Sequence, residues 1–359
     1  MQKNCHGLIL AGGRGTRFWP RSRKRNAKQV LSFLGERTLI QQTMDRLRPI
    51  LPPERIWVLT NEHLRDTIVQ QLPEVPRRQI LAEPAQRNTA PAIGLAAHIL
   101  HSIDPDSVMG VFPADHYIAR PARYIRLLRP AFQAASKGQM AVLGIQPRWP
   151  ETGYGYIEFP DGVEAGSLKP APVRRFREKP DLATAQSFLD AGRFYWNAGM
   201  FFWRSSVFLE ALRRHLPKTA SLLASLPAFG SRRFARAVAE TFPHCENISV
   251  DYAVLEKADT VVGLAADEIG WNDVGSWNAV YELMRRDAQG NAAREGEALI
   301  HDSCGNYVDA KGKLVALLGV HNLVVVDTPD ALLIADRSRA QQVGELVKML
   351  ERKGREELL

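Results

Sequence analysis

The chain has 359 residues, 45% hydrophobic and 24% charged, enough for one large domain plus a small one and ample for a core. No apolar stretch approaches bilayer-spanning length, residues 1–6 lead straight into a strand without a signal-peptide pattern, and three scattered cysteines (Cys5, Cys245, Cys304) argue against a disulfide framework or a zinc site; a cytoplasmic location and no membrane partner are expected. The net charge of +8 raises nucleic acid as a partner, but the cations are spread out and no helix-turn-helix, zinc-finger or aromatic RNA-binding pattern occurs. No nucleic acid is expected, since a basic enzyme with anionic substrates gains equally from electrostatic steering.

The organising stretch is residues 7–30, GLILAGGRGTRFWPRSRKRNAKQV. The apolar run 8–11 reads as a buried parallel strand that enters Gly12, Gly13 and Gly15. These glycines let the backbone turn sharply and present N–H groups to an anion. Thr16, Arg17, a basic run over 21–25 and Lys28 follow, which suits a nucleoside triphosphate. The stretch lacks the Gly-Lys-Ser/Thr ending of the P-loop, and Phe18 stands where a dinucleotide fingerprint needs a small residue. A tight connection without ligand is the alternative.

Downstream, a helix is predicted over 37–50, a strand over 55–60, a helix over 62–72 and a strand over 79–82. This alternation predicts a doubly wound, mostly parallel α/β sheet with ligands at the carboxyl ends of its strands. Several strand ends then carry unusual polar residues. The first is EPAQRNTAP, residues 83–91; Asn88 or Thr89 can cap the next helix, which leaves Glu83 and Arg87 unexplained. The second is VMGVFPADH, residues 108–116, where Asp115 is either a helix cap or a ligand and His116 orients the loop. After a strand at 140–146, Gly153 and Gly155 lie among aromatics and predict a hairpin or bulge where backbone approaches a ligand. A strand over 173–177 ends in Glu178-Lys179-Pro180, an anion and a cation side by side, and WNAGM at 196–200 is a polar break in an apolar strand.

Residues 206–258 read as helical, and SVDYAVLEK at 249–257 reads as a packing helix with Asp251 as a cap-region charge. A strand over 260–266 leads to WNDVGSW, where Asp273 sits in a Gly-flanked turn before a helix over 277–286. Around 285–297 the composition turns polar, which places a boundary between residues 1–286 and residues 287–359. The remainder is a set of short β runs over 298–335 and a helix over 340–357. So small a β unit should pack on the first domain or on a second subunit, so a homodimer is expected; truncation near 286 is expected to leave a soluble but less stable, monomeric first domain.

LAGGRGTRFWPRSR…AKQ, EPxxRNTAPA, the Asp115 strand end, EKP, WNAGMF and WNDVGSW together resemble the sugar-1-phosphate nucleotidylyltransferases, in their mannose-1-phosphate guanylyltransferase branch. The one departure is Ala27, where the family usually has proline before Lys28. The resemblance covers essentially the whole chain. It implies a nucleotide-diphospho-sugar transferase (Rossmann-like) fold with a small left-handed β-helix-like tail. It also implies the reaction of GTP with mannose 1-phosphate to give GDP-mannose and pyrophosphate, assisted by Mg2+. Gly12, Gly13, Gly15, Thr16, Arg17 and Lys28 would hold the triphosphate, with Glu83, Arg87, Asn88 and Thr89 at the base. Gly153, Glu178, Lys179 and Asn197 would hold the sugar phosphate, and Asp115 and Asp273 the metal. Two other readings remain: a nucleotidylyltransferase for another sugar 1-phosphate or NTP, and a non-catalytic subunit that senses a nucleotide sugar.

Overall fold

The structure is a computed structural model that describes residues 3–359. The first strand, Cys5–Leu10, is buried on both faces: Ile9 enters one hydrophobic core and Leu8 the other, as alternation along a strand between two helical layers requires. Ile80–Glu83, Ile56–Asn61, Cys5–Leu10 and Val108–Pro113 lie side by side in that order, all parallel. Phe194–Arg204 runs antiparallel to both Val108–Pro113 and Met140–Ile145, and Val261–Ala266 pairs parallel with Met140–Ile145. The expected mixed, doubly wound α/β sheet is therefore what forms. Its one long reversed strand matters for the site. The carboxyl ends of the forward strands and the amino end of Phe194–Arg204 share one sheet edge, which gathers residues 11–13, Glu83, Asp115 and Asn197.

Several elements differ in extent from the sequence reading. The first helix is Leu39–Leu47, set by Thr38, whose side chain accepts from the Gln41 N–H while Gln41 reaches back. The strand expected over 173–177 divides, because Ala171–Pro172 pairs with Val262–Gly263 and Arg175–Arg177 with Tyr156–Glu158. The helix after WNDVGS ends at Leu283, and the terminal helix is Val343–Arg352, preceded by a 3-10 turn, Arg337–Gln342.

The tail is a stack of β coils. Glu297–His301 pairs parallel with Leu314–Leu318, and Tyr307–Asp309 with both Ala292–Ala293 and Leu323–Asp327. Buried asparagines pin successive turns: Asn291 Oδ1 accepts from the Asn306 N–H at 3.1 Å, and Asn306 Oδ1 from the Leu323 N–H at 2.8 Å. A third core joins this unit to the rest. Phe18, Trp19, Phe33 and Trp277 pack there with Tyr307, Val324, Val343 and Val347, and the Trp19 indole donates to the Leu358 carbonyl at 2.9 Å. Among the described residues, no helix is long and apolar enough to cross a membrane.

Candidate active site

At the carboxyl edge of the sheet lies a cavity of about 600 Å³, lined by Gly12, Gly13, Glu83, Asn88, Thr89, Asp115 and, from the opposite side, Gly199 and Asp251. The glycine loop is held by its carbonyl oxygens. Gln29, buried, donates to the carbonyls of Ala11 at 2.6 Å and Gly13 at 3.0 Å, and Thr60 donates to Ala11 at 3.0 Å. Gly15 turns with φ +62° and packs so closely on Lys28 that a Cβ would sit 2.6 Å from the lysine Cβ. Ala27 takes φ −73°, close to the value that proline would impose, so the segment carrying Lys28 keeps the shape despite the substitution.

Lys28 is the hub. Its buried ammonium lies 2.8 Å from Asp115 Oδ2 and donates to the Asp273 carbonyl oxygen at 2.6 Å. Asp273 Oδ1 accepts from the Tyr154 hydroxyl at 2.6 Å, and Val274 behind it has φ +49°, a strained value for a β-branched residue. Burial pushes the Asp115 carboxyl up, but Lys28 and His116 outweigh it and hold the group below its ordinary value. Burial pushes His116 down to about 4, so the ring is neutral at pH 7; its Nδ1 accepts from the Trp271 indole at 3.2 Å. That bond orients the His116 loop, the role expected of it.

A second cluster sits where Phe194–Arg204 loses regular pairing between Asn197 and Phe201. Gly199, at φ +65°, donates to Asn197 Oδ1 at 3.1 Å, and the Asn197 amide donates to Asp251 Oδ1 at 3.0 Å. Burial and then Glu178 raise the Asp251 carboxyl to about 6. Lys179, at φ +45°, donates to Glu178, and its own N–H bonds to the Tyr154 carbonyl at 3.2 Å. Burial lowers the Lys179 ammonium, but the hydrogen bond and charge of Glu178 raise it on balance. Gly155 is the glycine of close approach here, since a Cβ would meet Glu178 Oε2 at 2.4 Å. Gly153 instead donates to Glu151 at 2.8 Å in an exposed loop.

Not every sequence candidate faces the cavity. Arg87 donates to the Pro243 carbonyl, and Gln86 lines the cavity in its place. Thr89 also accepts from the Val250 N–H at 2.9 Å, so it anchors the helix that carries Asp251. Asn88 accepts from the Thr89 N–H at 2.9 Å with φ +65°. Arg17 is exposed and donates to Gln341 at 2.7 Å. Burial raises Glu83 to about 8, which keeps a protonated carboxyl in the cavity wall near neutral pH. Asp251, Tyr154 and Gln29 are the residues that sequence reasoning missed. Asp251 is visible within SVDYAVLEK, but a helix-start aspartate looks the same whether it caps or faces a ligand.

A family model described as Nucleotidyl transferase matches residues 6–290, and one described as MannoseP isomerase/GMP-like beta-helix domain matches residues 296–350. The alginate biosynthesis protein AlgA of Pseudomonas aeruginosa is 41% identical, over 98% of this chain and 73% of its own. A mannose-1-phosphate guanylyltransferase of Klebsiella pneumoniae is 40% identical, over 98% of this chain and 74% of its own. A solved structure from Thermus thermophilus, described as a mannose-1-phosphate geranyltransferase, has a TM-score of 0.84 at 33% identity and covers 97% of this chain and 99% of that one. Matched over most of its length and sharing its fold with such relatives, the chain belongs to the nucleotidyl transferase family and is similar to the mannose-1-phosphate guanylyltransferases within it.

Proposed function

We propose that this chain transfers GMP from GTP to α-D-mannose 1-phosphate, giving GDP-mannose and pyrophosphate. The observation that carries the reading is the single Lys28 ammonium bonded at once to the Asp115 carboxylate and the Asp273 backbone carbonyl, beside a cavity with Glu83 and Asn88 on one wall and Asp251 on another. Two anionic substrates can meet there with cations and carboxylates already in position.

Glu83, Gln86, Asn88 and Thr89 offer the acceptors and donors that a guanine edge requires. The backbone at Gly12, Gly13, Gly15 and Thr16, with Arg17 and Lys28, would hold the triphosphate. Lys179 would bind the phosphate of the sugar, while Glu178, Asn197 and Asp251 accept from or donate to its hydroxyls. A phosphate oxygen of mannose 1-phosphate attacks the α-phosphorus of GTP in line; the bond to the bridging oxygen of the β-phosphate breaks and pyrophosphate leaves. No protein nucleophile is needed, because alignment and charge neutralisation lower the barrier.

Asp115 and Asp273 fit Mg2+. They are hard oxygen donors on neighbouring segments that Lys28 links, through the Asp115 carboxylate and the Asp273 backbone carbonyl, and among the described residues no cluster of three or more Asp, Glu, His or Cys offers an all-protein cage. A magnesium ion that completes its shell with phosphate oxygens and water suits such a pair, and when bound it supplies charge neutralisation.

The same reading divides the chain at 286/287 and pairs two copies through the tail, in a reducing cytoplasm where Cys5, Cys245 and Cys304 stay free. Exposed Leu299, Leu314 and Leu318, on the outward face of the coil, support the homodimer. Pyrophosphate release measured with a panel of NTPs and sugar 1-phosphates, with and without Mg2+, tests the proposal. A preference for another pair of substrates would replace it with that activity, and no turnover with any pair would favour a sensing subunit.

A further inference from the structure

Between Arg14 and Lys24 the chain carries five cations: Arg14, Arg17, Arg21, Arg23 and Lys24. All five reach across to the C-terminal unit. Four of them meet carboxylates there: Arg14 with Glu351 at 2.5 Å, Arg21 with Asp309 at 2.8 Å, Arg23 with Asp330 at 2.8 Å and Lys24 with Glu356 at 2.5 Å. Those charges are neutralised locally and tie the loop to the tail.

Arg17 differs. Its guanidinium donates to Gln341 Oε1 at 2.7 Å, a neutral acceptor. Gln341 lies near the end of the turn Arg337–Gln342, just before the helix Val343–Arg352. Gly344 in that helix faces the loop, where a Cβ would make ordinary contact 3.4 Å from Thr16 Oγ1 and 3.9 Å from Arg17 Cγ. An amide oxygen restricts the rotamers of a long arginine without cancelling its charge, and four of the five guanidinium N–H groups stay available to an anion.

We propose that Gln341 is a positioning residue of the transfer reaction. From the C-terminal unit it holds the Arg17 guanidinium beside the glycine loop, outside the cavity lining, and, being neutral, leaves that charge intact for the phosphates of a bound triphosphate. The tail is then a working part of the active site as well as a packing partner. The inference rests on the reading of Arg17 as a triphosphate ligand.

The test compares Gln341→Glu, Gln341→Ala, Arg17→Ala and the Arg17→Ala/Gln341→Glu double variant in the full chain, with separate KM values for GTP and mannose 1-phosphate. In Gln341→Glu an internal carboxylate competes with the triphosphate for Arg17. That variant should therefore lower kcat/KM for GTP about tenfold, with mannose 1-phosphate KM and Tm little changed. Gln341→Ala, which frees Arg17 but spares its charge, should lose only a few fold. On the Arg17→Ala background Gln341→Glu should have no further effect, as expected of two residues acting through one interaction. Glu356→Gln, which breaks the Lys24 pair at the same interface, should leave GTP kinetics within about twofold, since exposed pairs contribute little. Wild-type GTP kinetics in Gln341→Glu, together with an impaired Arg17→Ala, would overturn the role of Gln341 and leave that of Arg17 standing. An unimpaired Arg17→Ala would overturn both.

Discussion

The Asn197 amide donates to the Asp251 carboxylate at 3.0 Å, joining a break in a central strand to the first turn of a short helix 54 residues away. Asp251 thereby joins the corner proposed to bind the sugar phosphate, with Glu178 and Lys179 close enough to shift its titration. Asp251→Asn keeps the size and one oxygen acceptor but removes the charge. It is expected to raise the mannose 1-phosphate KM about tenfold and leave the GTP KM within about twofold, as removal of one charge-assisted hydrogen bond would. Equal changes in both KM values would return Asp251 to a packing role.

Lys179→Gln probes the phosphate half of the same corner. Losing a charge-assisted bond to the sugar phosphate should cost about 1.5–3 kcal/mol, seen as a rise in mannose 1-phosphate KM with GTP KM little changed. A variant whose GTP KM rises as much would put the lysine on the nucleotide instead.

Glu83 sets a pH dependence. Burial raises its carboxyl from 4.5 to about 8, so the free protein holds a proton there at neutral pH. Donors on a guanine edge favour the ionised form, so binding should release that proton. Asp115, His116 and Asp251 face the same cavity, and Glu83→Gln separates their contribution from that of Glu83. GDP-mannose is the cleaner probe, because its diphosphate does not titrate in this range. Its affinity should rise with pH by up to about tenfold per unit and level off above about 8, and calorimetry in buffers of different ionisation enthalpy should detect the released proton. Glu83→Gln should abolish the slope; a slope that survives would assign the proton to another group. For stability the sign reverses. The folded state binds this proton more tightly than the unfolded chain, so the contribution of Glu83 is full below 4.5 and is lost as pH rises through about 8.

Asp115→Asn and Asp273→Asn test the metal pair. Asn retains an oxygen for Lys28 or Tyr154 but is a poorer magnesium ligand. Both variants should fold, lose about a hundredfold or more in kcat, and require higher Mg2+ for half-maximal rate. Near-normal turnover with unchanged Mg2+ dependence would remove that residue from the pair. In Asp115→Asn a stability loss of about 1–3 kcal/mol is also expected, because the buried Lys28 ammonium loses its counter-charge.

Truncation after Arg286 should cost more than the modest loss of stability, in a still soluble monomer, that the sequence suggests. It would uncover Phe18, Trp19, Phe33 and Trp277, which share their core with the tail. Each large apolar side chain returned to water costs about 1.5–3 kcal/mol, enough together to consume a typical stability margin. Insoluble expression, or a melting temperature lowered by more than about 15 °C, is the expected result. A soluble, fully active fragment would show the shared core to be dispensable.

The sequence by itself determined the alternation of strands and helices, the glycine loop, and the polar residues that end several strands. Those are local matters: apolar runs fix strands, glycines fix turns, and parallel strands must deliver their carboxyl ends to one edge. The tail shows no clean hexapeptide period in sequence, and the buried rungs Asn291 and Asn306, with Leu323 next in line, emerge only in the coil. What only the tertiary structure decided is which charges meet. Arg17 and Arg87 look equally available in sequence, yet one is held by Gln341 and the other by the Pro243 carbonyl. Asp251 looks like a cap, yet it faces Asn197. Lys28 could have met either carboxylate, and it meets that of Asp115 while taking only the backbone carbonyl of Asp273. A long polar side chain reaches several positions from a given backbone at nearly equal cost. The choice among them is made by burial and by partners hundreds of residues away, which no local pattern contains.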